Sequence, residues 1–365
     1  MWTLLPLQDV LGNSSKKNMT ETLDWNKVKE GVRYLQLLLA LLSVVGSGLI
    51  ISFVMSQRLG RKPEMQPLLL LCVSDFLLAF CWLLGAAIFF ENRGSMSTHC
   101  YNMRTLEQAF YMAAFFFTLN YTWSLYSGIT EKLKSCFYGY SVQFSNRVST
   151  AGRTTAVLSG MTPLLLVSPV LIYGNIRHCQ ANFTQPNRCL LMETGALFLT
   201  SEQQQPIRSC RLLHIYAIST FCITFVLTVG GVTVLAVKAW RLQRRLVTSA
   251  GYMGTEQRAW LRVIGWRMLL YPLIFVFCWG PVAALTFLDV LNPTLNQGKV
   301  GVALYMFQTL TSVSHGFLNS LVYCWTHLCL RHTSRAALCR DMDTQTPLLS
   351  SQKNQPQKRS YRALS

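Results

Sequence analysis

The chain has 365 residues, 51% hydrophobic and 13% charged, with a formal net charge of +18 and a mean hydropathy of +0.29. Apolar runs of about 20 residues recur along it, which excludes an ordinary soluble domain and indicates a polytopic membrane protein. The basic excess sits mainly in loops predicted to face the cytoplasm and its anionic lipid, so it does not point to nucleic acid as a partner.

Residues 1–33 read as a polar, extracellular N-terminal tail with N-glycosylation sequons at Asn13 and Asn18. The stretch from Trp2 to Leu11 lacks a basic start and contains Asp9, so span one is expected to act as an uncleaved signal-anchor. Span one covers 34–56 and carries the small residues Ser43, Gly46, Ser47 and Gly48, which let helices approach closely. Span two covers 67–90, with Asp75 near its middle. A loop ending in Cys100 leads to span three at 105–130, the most mixed, with Glu107, Gln108, Asn120 and Thr122. Span four covers 154–173 and contains Pro163 and Pro169. The long loop 174–211 holds Cys179, Cys189, Cys210 and a third sequon at Asn182. Span five covers 212–237, a basic loop follows, and spans six and seven cover 268–291 and 302–325.

The predicted fold is an all-α membrane protein, a seven-transmembrane helix bundle. Its membrane domain occupies 34–328, and a basic tail follows at 329–365. Well over half of the 33 Lys and Arg residues fall in the loops after spans one, three and five and in the tail. That asymmetry places the N-terminus outside, extracellular or lumenal, and the C-terminus in the cytoplasm. All three sequons then fall outside. The expected location is a multi-pass protein of the plasma membrane, with the lipid bilayer as its first partner. There is no internal repeat of the kind transporters show.

Asp75 is the one acid in the middle of a span, where a charge is costly and marks a functional site by default. Its expected neighbours form an intramembrane polar core of Asn319, His315 and Ser314, with Asn120 and Ser74 as further candidates. A lone histidine such as His315 is more often a packing residue than a ligand. Glu107 lies about two turns into span three. It is either an interfacial carboxylate or a counter-ion for a cationic ligand, with Tyr111, Phe275, Trp279, Tyr305 and Gln308 near it in depth. Four outward cysteines in an oxidising compartment allow three disulfide connectivities, which sequence does not choose between. Cys329 and Cys339 are palmitoylation candidates. No metal-ligand spacing and no catalytic motif stands out, so the chain is not expected to be an enzyme.

Span six holds Phe275-x-x-Cys278-Trp279-x-Pro281. A proline deep in a membrane helix removes a backbone hydrogen bond and makes a hinge. This motif, Leu71-x-x-x-Asp75, Cys100 at the head of span three, and Asn319-Ser320-Leu321-Val322-Tyr323 in span seven together resemble rhodopsin-like G-protein-coupled receptors. The resemblance covers nearly the whole membrane domain in the right order. It implies a disulfide from Cys100 to Cys189, a sodium ion near Asp75, and a switch made of Phe275, Cys278, Trp279, Pro281, Asn319 and Tyr323. It also implies a G protein as cytoplasmic effector. Departures weigh against two of these. Ser124-Leu125-Tyr126 stands where the family has an acidic-Arg-aromatic triplet, which weighs against coupling. Ala114 and His315 replace residues usual beside the sodium ion. Ser47 stands where the family has asparagine, and span four lacks its tryptophan. The tail 341–349, with Phe277 to Pro281, resembles a smaller family of receptor-like membrane proteins.

The function expected from these readings is an orphan receptor-like protein. Its ligand would be a small molecule, lipid or peptide in the outer half, and it would act by turning span six about Pro281. The rivals are a non-signalling scaffold or trafficking protein, whose partners bind the tail, and an ion transporter or channel lined by Asp75, Asn319 and His315.

Overall fold

The computed structural model describes residues 8–57, 65–90, 97–138, 150–179, 207–249, 255–291 and 299–331. Their regular elements are helices: α1 (Gln8–Ser56), α2 (Gln66–Phe90), α3 (Ser97–Tyr138), α4 (Thr150–Ile176), α5 (Ile207–Ser249), α6 (Thr255–Leu291), α7 (Lys299–Val313) and, beyond a turn at Ser314, α8 (315–331). Backbone groups in hydrocarbon have no water to bond, so apolar runs of this length close their hydrogen bonds internally as helix. Among the described residues five segments are long and apolar enough to cross a bilayer: Glu30–Ser56, Gln66–Ala86, Gly152–Ile176, Ser209–Arg245 and Leu261–Leu288.

The stretches expected as spans three and seven differ from the other five. α3 packs on α2, α4, α5 and α6, which makes it the central helix. Its polar side chains Glu107, Gln108, Thr118, Asn120 and Thr122 are buried among those neighbours rather than turned to lipid. Thr118 and Thr122 bond the carbonyls of Ala114 and Thr118, one turn back. A helix whose outward apolar residues are as few as Leu106 and Trp123 has less need of an apolar composition.

The other expected span is interrupted at Ser314, and the cause lies on α1. The Ser43 hydroxyl donates to the Val313 carbonyl at 2.6 Å and accepts from the Phe317 amide at 3.3 Å. In an unbroken helix those two groups would bond each other. An inserted hydroxyl is a known way to break that ladder without orphaning either group. Small residues permit the approach. A Cβ on Gly316 would stand 2.9 Å from Ser47 Oγ and 3.2 Å from Asp75 Cβ, and one on Gly46 would stand 2.8 Å from Ser320 Oγ. Ser43, Gly46 and Ser47 of span one therefore pack against α8, whereas Gly48 faces Phe76 of α2.

At one end of the bundle Cys179 and Cys210 form a disulfide that ties the end of α4 to the start of α5. Cys100 is also disulfide-bonded. Cys189 lies outside the described residues, as do Asn182 and the side chains of Asn13 and Asn18. Tyr101 packs with Cys100 and Cys179 and donates its hydroxyl to the Val170 carbonyl at 2.7 Å. Its ring fills the space where a Cβ on Gly174 would be. Gly174→Ala should therefore push α3 and α4 apart at a cost of about 1–3 kcal/mol. A melting temperature in detergent equal to wild type would contradict that packing.

Candidate functional site

Two apolar clusters sandwich a polar layer. At the disulfide end, Phe115 is the hub of an aromatic group, with Phe275 and Trp279 each 5.0 Å away between centroids and Phe221 at 5.9 Å. At the opposite end Tyr121 and Tyr271 meet edge to face at 4.9 Å, among Leu125, Met268 and Tyr323. The helical period explains which residues of the span-six motif turn inward. Phe275, Cys278, Trp279 and Val282 are spaced three, one and three apart and are buried, while Val276 and Phe277 face outward. α6 stays helical through Pro281 and also through Pro272, so two carbonyls, those of Met268 and Phe277, lose their i→i−4 partner.

Above the aromatic hub lies a cleft of about 100 Å³ between α3, α5, α6 and α7. It collects Glu107, Tyr111, Trp279 and Gln308, four of the expected pocket residues. Phe275 is not on its wall but one turn deeper, under Phe115, and Tyr305 is half-buried on α7 away from it. Arg104 and Gln108 complete the wall from α3, and His214, Ala217, Ile218 and Phe221 complete it from α5. Sequence reading by depth missed these, although the period carries the signal. Arg104, Glu107, Gln108 and Tyr111 fall at i, i+3, i+4 and i+7, as do His214, Ala217, Ile218 and Phe221. Glu107 is 4% exposed and accepts the Trp82 indole N–H at 2.7 Å. The Trp279 indole N–H, on a side chain only 1% exposed, meets no acceptor among the described residues.

Trp279 has neighbours on both levels. Tyr111 of the cleft is 5.4 Å from it, and His315 of the polar layer is 6.0 Å from it. His315 Nδ1 stands 3.0 Å from Asp75 Oδ1, and Asn319 Nδ2 donates to Asp75 Oδ2 at 2.9 Å. Asn319 Nδ2 also lies 3.4 Å from His315 Nε2. The arrangement suits an imidazole that donates from Nδ1 and accepts at Nε2. Asn319 and His315 thus meet Asp75 as the sequence led one to expect. Ser314 instead turns its hydroxyl to the Thr311 carbonyl, Ser74 bonds its own helix at Leu71, and Asn120 Nδ2 has no partner among the described residues. This donor set does not fit a sodium ion. Both carboxylate oxygens face N–H groups, Ala114 offers no side-chain oxygen, and its carbonyl is taken by Thr118. Among the described residues no three His, Cys, Asp or Glu side chains stand together as metal ligands.

At the far end Arg267 of α6 is 5% exposed. Its Nε donates to Thr326 Oγ1 of α8 at 3.0 Å, and its guanidinium lies 5.5 Å from the centroid of Tyr323. Tyr121 of α3 and Tyr271 interact with it electrostatically. Among the described residues it pairs with no Asp or Glu. Sequence reading placed Arg267 in the basic loop. Only the fold shows it inside.

Polarity in this molecule is inverted. Leu49, Leu165, Val226 and Leu227 are each about two-thirds exposed, whereas Asp75, His315 and Asn319 are at most 3% exposed. Five apolar helices with lipid-type faces and a polar interior define an α-helical multi-span membrane protein. Residues 29–361 match the family described as Transmembrane protein 116 (TMEM116). The chain belongs to that family.

Proposed function

We propose that the chain is a receptor-like protein of seven spans, with α3 and the broken α7–α8 pair as the two beyond the five apolar ones. The disulfide end faces outward, and the plasma membrane is its site of action. A ligand in the cleft acts on Trp279. That side chain turns with α6 about Pro281, and the ends of α5 and α6 away from the disulfide part. The observation that carries the reading is the double contact of Trp279, with Tyr111 of the cleft on one side and His315 of the Asp75 layer on the other. A ligand can shift the two arrangements only by its difference in affinity for them. The absent triplet arginine leaves the effector open to classes other than G proteins.

The test is a broad effector screen in cells with confirmed surface expression, run on wild type, Trp279→Ala and Pro281→Ala. Each substitution should change basal or evoked output at equal surface level. Outputs indistinguishable from wild type in both variants would end the hinge reading.

A further inference from the structure

We infer that the cleft is built for an organic anion: a carboxylate with an apolar body and a second oxygen acceptor. The inference rests on the proposed reading of the cleft as a ligand site and goes beyond it in naming the charge. The cleft has one acceptor-only group, Glu107, and an indole N–H of the protein already points at it. The other polar groups on the wall are donors or can donate. Arg104 stands at the neck, where the cleft meets a second space of about 60 Å³ under the Cys179–Cys210 disulfide. Arg104, Gln108 and His214 line both spaces, so a ligand crossing the neck passes a guanidinium. A planar guanidinium matches a carboxylate in two parallel hydrogen bonds. Deeper in, Phe221, Tyr111 and Val282 offer an apolar seat. Trp279 lines this part of the cleft too, and its N–H is buried with no acceptor among the described residues. A buried donor without a partner is costly to keep, and a ligand oxygen would satisfy it. Charge at the neck, apolar body below and an acceptor at the floor make one consistent ligand.

The test uses the full chain in lipid nanodiscs and two probes that share an aryl ketone. 3-Benzoylpropionate carries a carboxylate, and 3-aminopropiophenone carries an ammonium instead. Thermal shift titrations should show stabilisation by the carboxylate and none by the amine. Arg104→Gln should weaken the carboxylate about thirtyfold or more. Trp279→Phe keeps a ring and deletes the N–H, and should weaken it about fivefold to tenfold. Arg104→Lys, which keeps the charge but not the fork, should fall between wild type and Arg104→Gln. Stabilisation by the amine that Glu107→Gln removes would overturn the anion assignment and leave the cleft as a ligand site. A carboxylate effect that survives Arg104→Gln would overturn it too. No shift from either probe at millimolar concentration overturns it as well, and the hinge is then judged by its own effector screen.

Discussion

His315→Leu should destabilise the bundle by about 1–3 kcal/mol, the usual cost of leaving a buried acceptor without its donor. The substitution leaves Asp75, 3% exposed, with Asn319 on one oxygen and nothing on the other. Asp75→Leu should cost a similar amount in the opposite sense, since His315 Nδ1 and Asn319 Nδ2 both lose their acceptor. The double variant Asp75→Leu/His315→Leu should be far better than the sum of the two. Only the Asn319 amide is then left without partners, which costs about 1–3 kcal/mol. Ordinary hydrogen bonds between membrane helices couple by about 0.6 kcal/mol. A coupling of about 2 kcal/mol or more would therefore mark the carboxylate–imidazole bond as shut off from water and from other partners. Denaturation of the four proteins in one detergent gives the cycle, and additive single effects would refute the shared bond. Because His315 also touches the ring of Trp279, the loss should reach the cleft as weaker ligand stabilisation.

Which of these features could be read beforehand depended on whether their cause was local. The apolar runs were legible because hydrocarbon permits little else than helix, and the five apolar spans stand where the hydropathy put them. Asp75 was legible because a lone mid-span acid needs company, and the inward face of Phe275, Cys278 and Trp279 follows from the helical period. The break at Ser314 was not legible. Its cause is the hydroxyl of Ser43, 270 positions earlier, and a serine in a membrane helix bonds its own turn far more often. Glu107 looked available because Trp82, on another helix, gave no sign of reaching it. Arg267 lies at the boundary between an apolar run and a basic loop. Charge alone assigns such a residue to the loop, while its depth is decided by three tyrosines and a threonine on α3, α6 and α8. The small residues of span one predicted a close helix contact, but which helix it would be was a matter of topology.

Arg267 offers the second large effect, and its two partners should give opposite signs. A cation 5% exposed with no Asp or Glu beside it among the described residues costs several kcal/mol to hold out of water. Against that stand a charged hydrogen bond to Thr326, about 1.5–3 kcal/mol, the face of Tyr323, about 0.5–2 kcal/mol, and the electrostatic attraction of Tyr121 and Tyr271. The terms nearly cancel, so the arginine holds α6 close to balance between packed and parted. Exposed Lys238, Arg241 and Arg262 mark this end as the one that meets water. Thr326→Val removes the acceptor and keeps the cation, so it should favour the parted arrangement by about 2 kcal/mol, some thirtyfold in population. Arg267→Leu removes the cation itself. An apolar side chain prefers the interior, so α6 should stay packed and thermal stability should hold or rise. Spin labels at Ser127 of α3 and Arg262 of α6, in a background without exposed cysteines, report the separation directly. A bond that merely held structure together would loosen in both variants alike. Distances that lengthen for Thr326→Val and shorten or sharpen for Arg267→Leu would instead show that α6 is poised by its own buried charge. The ligand would then have only a small energy difference to overcome.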